Sequence, residues 1–437
     1  DTLDSATTQL ARDAHVALAV NFIAPNFREV FREVQKRVGK LTILVSVENE
    51  SNRDWTVEQK DLNVIRQRTW TITRNVDHPS GYRYTNYVHV PLDTFGQLRR
   101  LKPDVVVSLE MGIRTLQAIS YRRLSQAALV VAFNANHRSE LGRGKARSFV
   151  RRRILRAADW VTCNGPECRQ VLASLGRRSD EMSMFQYACD PDKPSRDEIK
   201  DLVFDRELSL LTIGELSERK GLATALDQLT QWAQQHPDQT IVWNLVGSGP
   251  LETMIRACEH PPNLQIVLHG FCDADQLRDH YANNHLMLFP TLCDEWGLVV
   301  DESLHSGLPV VGSVHAQSCA TLIKNGINGF RYDPEADTSS IASLGNCLKQ
   351  FIELESNQRM AMRQQSRVSV AERTPETSAK QLTDAIGLAI ARRRDRCGNP
   401  KSQVEHSSPT ESSSSDHEMS AHARTADTRE SVAEAVT

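Results

Sequence analysis

The chain has 437 residues, a formal net charge of -3 and 40% apolar residues, enough for two domains of ordinary size with a sizeable core. The near-neutral balance argues against a general nucleic-acid binder, and the absence of any apolar run of about 18 residues argues against a membrane-crossing helix. Nine cysteines, odd in number and without a Cys-x-x-Cys pair, read as reduced thiols of a cytoplasmic protein, not as a disulfide frame or a zinc site. The chain opens on Asp1 and not on Met, which leaves room for a targeting segment ahead of it.

In chain order, Val16–Phe22, Leu41–Val47, Val105–Leu109, Leu129–Phe133 and Trp160–Asn164 are short apolar runs that predict buried parallel strands. Amphipathic stretches at Asn26–Arg37, Arg114–Arg122 and Arg147–Ala157 predict helices between them. Such alternation implies a doubly wound α/β domain. Asp190-Pro191-Asp192-Lys193-Pro194-Ser195 is turn chemistry and opens a linker. The pattern then restarts. Ser209–Ile213, Ile241–Val246, Ile266–His269, Leu286–Phe289 and Val310–Val311 predict strands. Thr224–Gln235, Pro250–Glu259, Asp275–Asn283, Gln317–Asn325 and Ile341–Glu355 predict helices. Thr374 is placed to cap a last helix, with Pro375 at its first position. From Ser402 onward Ser, Thr, Glu and His predominate without an apolar period, so this tail is expected to be disordered. The expected domains are 1–190 and 207–372, joined by a linker at 191–206, then a helix at 373–396 and the tail at 397–437.

The strongest chemical signal runs from Pro290 to Val311. A strand is followed by an acidic turn, Asp294-Glu295-Trp296-Gly297, and then by a helix. Seven residues separate Asp294 from Glu302, which places one acid on the loop and the other in the first helical turns. Backbone N–H groups of Trp296, Gly297, Leu298 and Val299 stand where the helix starts, a terminus that suits a phosphate or a sugar hydroxyl. A second block, Gly214-Glu215-Leu216-Ser217-Glu218-Arg219-Lys220-Gly221, follows a strand, and Lys220 offers a point charge to a diphosphate. Gly247-Ser248-Gly249-Pro250 is a weak dinucleotide-like turn.

These blocks resemble the retaining glycosyltransferases of the GT-B fold, in particular the family 4 type that includes many bacterial polysaccharide and glycolipid enzymes. The likeness covers roughly residues 14–395, strongly after Leu208 and more loosely before. It implies an α/β fold of two Rossmann-like domains facing a cleft, with the 373–396 helix crossing back onto the first. The second domain would bind a nucleotide-sugar donor. The first would bind a saccharide, lipid-linked or other hydroxyl acceptor. The resemblance places Lys220, Arg219 and Gly214 at the diphosphate, Phe271 near the base and Glu302 at the ribose. Asp294 or Glu295 would hold the donor sugar, and His137, Asn134 or Asn136 would stand near the reacting centre. It implies no cofactor beyond the donor and no metal. Two departures matter: Glu215 stands where the family has Arg, and Ile23-Ala24-Pro25-Asn26 replaces a glycine-rich loop. They favour a rival reading, a non-catalytic binding or scaffold subunit; a second rival, an epimerase or hydrolase of the same fold, would need further acids and His in the cleft. Finally, Arg143–Arg156 holds seven basic residues and no acid. Its bland reading is a core-facing helix with a solvated basic face; its functional reading is peripheral contact with anionic lipid on the inner face of a membrane.

Overall fold

The computed structural model describes residues 2–50, 59–192, 194, 198–200, 202, 204–337 and 339–398. Its first half contains β1 (His15–Val20), β2 (Lys40–Val45), β3 (Val64–Arg66), β4 (Thr69–His78), β5 (Tyr82–Pro91), β6 (Val105–Ser108), β7 (Ala128–Phe133), β8 (Trp160–Cys163) and β9 (Met182–Met184). The second half contains β10 (Glu207–Ile213), β11 (Thr240–Val246), β12 (Leu264–Gly270), β13 (Leu286–Phe289), β14 (Val310–Ser313) and β15 (Gly329–Tyr332).

Seven strands form one parallel sheet in the order β3-β2-β1-β6-β7-β8-β9, and six form another in the order β12-β11-β10-β13-β14-β15. Both follow the doubly wound Rossmann order, in which the chain steps outward from a central strand, then returns to its other side. The apolar runs become strands because both faces of each sheet are covered. Val16, Leu18 and Val20 enter one core while Ala17 and Ala19 enter the core on the opposite face. In the second sheet Leu208 and Leu210 face one core and Leu211 the other.

The last helix, Pro375–Gly398, belongs to the first core: Ala379, Leu382, Ile386, Ala389 and Ile390 pack there with β1 and β2. Their spacing is one helical stripe, and burying Leu382 and Ile386 contributes about 1.5–3 kcal/mol each. Thr374 caps this helix through a 3.3 Å hydrogen bond from Thr377 N–H to its hydroxyl. Cys397 and Gly398, assigned above to the tail, continue the helix instead, because no breaker precedes the Gly398-Asn399-Pro400 run. The rest of the expected tail, and parts of the 191–206 linker, lie outside the described residues.

Several elements have no counterpart in the sequence reading, among them the short strands β3, β9 and β15 and the helices Thr94–Leu101 and Pro166–Ser174, and the largest is a hairpin. Strands β4 and β5 form a separate antiparallel ribbon, paired from Thr69↔Pro91 to His78↔Tyr82. A two-stranded ribbon is marginal by itself, and this one is braced at both ends. Gln117 Nε2 donates to the Pro91 carbonyl at 2.6 Å, and Arg138 Nε donates to Ser80 Oγ at 3.1 Å. The Arg83 backbone N–H reaches the second half, donating to Glu218 Oε2 at 2.7 Å. Helices Thr2–Asp13 and Ser356–Val370 are also additions to the expected set.

Candidate functional site

Lys220 follows β10 and Asp294 follows β13, the first and fourth strands of the second sheet, which are direct neighbours. At such a switch point the flanking loops diverge to opposite faces and leave a crevice at the carboxyl ends of the strands. Two glycines let the loops close in. Gly221 has φ 68°, and a Cβ there would sit 2.1 Å from the Pro290 carbonyl oxygen. Gly297 has φ 93°, and its Cβ would lie 2.6 Å from the Phe289 ring. Side chains are excluded at both positions by conformation and by space.

The result is a charged knot. Lys220 Nζ donates to Asp294 Oδ2 at 2.8 Å, and Arg219 Nη1 donates to the same oxygen at 3.3 Å and to the Cys293 carbonyl at 3.1 Å. The Trp296 N–H donates to Asp294 Oδ1 at 3.3 Å. Lys220 also lies 5.0 Å from the centre of the Phe289 ring. Burial alone would raise the Asp294 carboxyl, but Lys220 and Arg219 overcome it and hold the group down at about 2. Burial lowers Lys220 despite this partner.

Glu295 is in a different state. Burial pushes its carboxyl up to about 7, with Arg143 opposing the shift and Asp294 reinforcing it. Adjacent carboxyls in opposite states are an arrangement often used for acid–base work. The folded chain therefore binds this proton more tightly than the unfolded chain does, so its contribution to stability is present below about pH 4.5 and lost as pH rises through 7. Glu295→Gln removes that loss. Its urea midpoint is expected to gain on the wild type between pH 4.5 and pH 8, and a gain in the opposite direction would show that Glu295 is ionised throughout.

The knot opens on a cleft of about 420 Å³ shared by both halves, within the range typical of ligand sites. Arg219, Lys220 and Asp294 to Val299 line it from the second half. From the first half come His78, Tyr82 and Tyr84 of the ribbon, with Ser139, Arg143 and Tyr187. His78 stacks on Tyr82 at 4.5 Å and Tyr187 stacks on Trp296 at 6.3 Å. Burial pushes the Tyr82 hydroxyl far up and the His78 imidazole down.

Polar side chains lace the halves together behind the cleft. Gln317 Nε2 donates to the Glu295 carbonyl at 2.8 Å and to the Ala135 carbonyl at 3.1 Å, while its Oε1 accepts the Cys168 N–H at 3.0 Å. Asn164 Nδ2 donates to the Glu295 carbonyl at 2.9 Å, and Asn136 Nδ2 to the Asp294 carbonyl at 2.8 Å. The acidic loop is thus fixed by its backbone from the opposite half.

Not every residue singled out from the sequence meets here. His137 is exposed, does not line the cleft and shares a 2.8 Å hydrogen bond with Gln170. Of the three alternatives near the reacting centre, Asn136 comes closest, and Asn134 turns to the Tyr187 hydroxyl at 3.1 Å. Gly214 lines a small recess beside Lys220. Phe271 stands 63% exposed past the end of β12, two strands out from β10. Glu302 Oε2 accepts the Tyr281 hydroxyl at 2.8 Å, on the same helix that Leu298 and Val299 open and next to the residues that line the cleft rather than among them. Among the described residues one group has metal-ligand character, His315, Asp333 and Glu335. Arg138 already donates to Glu335, which offsets that local charge. All nine cysteines are free.

Two Rossmann-ordered sheets whose carboxyl edges meet at a polar cleft define the GT-B architecture. Residues 207–350 match the family described as glycosyl transferases group 1. Among solved structures, HepE of Anabaena in complex with UDP-glucose superposes with a TM-score of 0.63 at 15% identity, over 85% of this chain and 99% of that one. Sucrose-phosphate synthase of Thermosynechococcus elongatus gives 0.61 at 17% identity, over 85% and 97%. Among curated proteins, an uncharacterized glycosyltransferase of Methanocaldococcus jannaschii is 24% identical over 135 residues, 30% of this chain and 34% of that protein. Sulfoquinovosyl transferase of Arabidopsis thaliana is 21% identical over 272 residues, 57% of this chain and 51% of that protein. The chain spans about a third to a half of the length of these two relatives. The chain carries a glycosyl transferases group 1 domain in its second half and has the GT-B fold.

Proposed function

We propose that the chain transfers a hexose from a nucleoside diphosphate sugar to a hydroxyl acceptor with retention of configuration, as a glycosyltransferase of the family 4 type. The observation that carries this reading is the convergence of Lys220 and Arg219 on Asp294 at the switch point of the second sheet. A departing diphosphate gains negative charge, and two preset cations beside a helix start stabilise it without a metal. Asp294 or Glu295 accepts hydrogen bonds from donor-sugar hydroxyls. Glu302, oriented by Tyr281, serves the ribose. The donor lies on the second half and the acceptor enters from the first. That HepE was solved with UDP-glucose supports a nucleotide-sugar donor.

The helix Lys145–Ala157 also supports peripheral binding to an anionic membrane surface. Phe149 is 60% exposed, beside exposed Arg152, Arg153 and Arg156. No helix among the described residues is long and apolar enough to cross a membrane.

Release of nucleoside diphosphate from a panel of UDP-, GDP- and ADP-sugars tests the activity. Turnover with one donor, and transfer of its sugar to a hydroxyl acceptor, is expected. Tight nucleotide binding with no release from any donor would favour a non-catalytic binding subunit, a reading to which the exposed Glu215 lends support.

A further inference from the structure

The acceptor wall of the cleft is positively charged beyond what the described acids balance. Arg143 lines the cleft, and its Nε is fixed by the Ser139 carbonyl at 2.8 Å and by Glu140 at 3.5 Å. Glu140 is shared, because Arg151 donates to its other oxygen from the buried side. Among the described residues, neither Nη group of Arg143 makes a hydrogen bond or ion pair, and the side chain of Arg147, exposed one turn further along and outside the residues that line the cleft, makes none either. Two guanidiniums therefore share one carboxylate while a third, Arg147, stands near it unpaired, with the Glu295 carboxyl across the cleft from Arg143 as the next acid. Crowding of this kind depresses a cation, and Arg147, although its side chain keeps solvent contact, is brought down to about 10 by partial desolvation and then by Arg143 and Arg151.

An aromatic surface stands next to this charge. Tyr84 lines the cleft and is only partly buried. Its ring is held 5.9 Å from Tyr82 and 6.4 Å from His78. The backing pair is itself stacked, so Tyr84 presents a fixed ring. A ring backed by two others loses little freedom when a ligand covers it, which favours binding. A guanidinium fork with free Nη groups matches the oxygens of a phosphate.

We propose that this wall is an acceptor subsite for a phosphate-bearing sugar-like ring, the ring lying against Tyr84 and the phosphate held by Arg143 and Arg147. The proposal rests on the transferase reading, because it names the class of acceptor for that site. The acidic loop across the cleft brings the reacting hydroxyl near Glu295, while the phosphate stays on the basic side. A neutral glycoside offers the two guanidiniums only hydroxyl acceptors and leaves their charge uncompensated. The phosphate has two possible sources, a soluble sugar phosphate or a lipid headgroup.

Binding measurements on the full chain separate these sources. Glucose 6-phosphate and methyl α-glucoside are titrated by calorimetry against the wild type, Arg147→Gln and Tyr84→Leu. Vesicles of phosphatidylcholine carrying phosphatidylinositol, or phosphatidylserine at equal charge, are tested by flotation. The phosphorylated sugar is expected to bind at least tenfold more tightly than the neutral one, with Arg147→Gln erasing that preference and Tyr84→Leu weakening both. Vesicle binding that prefers phosphatidylinositol to phosphatidylserine, and loses the preference in Arg147→Gln, supports the same site and marks a headgroup as the source. Equal binding of both sugars, with vesicle binding that follows charge alone, overturns the proposal. These arms do not depend on turnover. If no donor is hydrolysed yet the phosphate preference holds, the transferase reading fails and the anionic subsite stands.

Discussion

Arg373→Met is expected to cost about 3–5 kcal/mol of stability, the range for leaving a buried charge without its partner. Arg373 Nε donates to Asp301 Oδ1 at 2.6 Å, and its other nitrogens reach the Tyr187 carbonyl at 2.7 Å and Gln186 Oε1 at 3.2 Å. Asp301 is 0% exposed, and its second oxygen takes only the Trp296 indole N–H at 2.6 Å. The guanidinium also lies 4.6 Å from the centre of the Trp296 ring. Removing it leaves a buried carboxylate with one neutral donor. Arg373→Met combined with Asp301→Leu is expected to recover most of the loss, because no buried charge remains. Urea unfolding of the two variants and the wild type measures this. A single variant within 1 kcal/mol of the wild type, the low end of the range for a paired charge, would show that water replaces Arg373. The effect reaches the site, since Trp296 and Tyr187 are cleft walls and Arg373 is the residue that joins them to the start of the last helix.

The two Rossmann halves were legible because buried parallel strands leave a local trace, an apolar run between amphipathic stretches. The predicted Leu286–Phe289 is β13 residue for residue, and Leu129–Phe133 differs from β7 by one. The Lys220 and Asp294 loops were legible because a glycine, a cation and an acid at strand ends are local patterns too. What the sequence reading missed is mostly non-local. Gln317 and Asn164, which were not singled out, and Asn136, which was singled out but for the reacting centre, bond to backbone carbonyls more than 100 positions away, and no spacing rule announces such a bond. Asp301 sits one position from Glu302 and reads alike in the sequence, yet it faces Arg373 while Glu302 faces Tyr281. The β4–β5 ribbon is a different case. Thr69–His78 and Tyr82–Pro91 are rich in Thr, Val and Tyr around Pro79-Ser80-Gly81, a signal for a hairpin. β4 is mostly exposed and β5 alternates buried or half-buried with exposed residues, so neither forms a continuous apolar run and the search for such runs passed over them. His78, Tyr82 and Tyr84 were passed over with it, although they form much of the cleft's first-half wall.

Lys220→Ala is expected to lower turnover by about a hundredfold or more, the loss typical of removing one preset charge-stabilising donor, about 2.7 kcal/mol. The geometry also predicts how its partner differs. Lys220 Nζ is held by Asp294 at 2.8 Å, so a diphosphate must compete with the carboxylate for the ammonium. Asp294→Asn weakens that competition. Nucleoside diphosphate should then bind as tightly as before or more tightly. Turnover should still fall by about ten- to a hundredfold, because a sugar hydroxyl loses a charged acceptor worth roughly 1.5–3 kcal/mol. Glu295→Gln is the control on the neighbouring acid, and a small effect there assigns the sugar to Asp294. Arg219 remains beside the site in every variant, so the fold of the loop is expected to persist, as unchanged melting temperatures would confirm. Calorimetry with nucleoside diphosphate and steady-state rates with the active donor separate the roles. If Asp294→Asn weakens nucleotide binding and turnover in equal proportion, Asp294 serves only to position Lys220. If Lys220→Ala leaves the rate intact in a folded chain, leaving-group stabilisation passes to Arg219 and the helix start at Leu298.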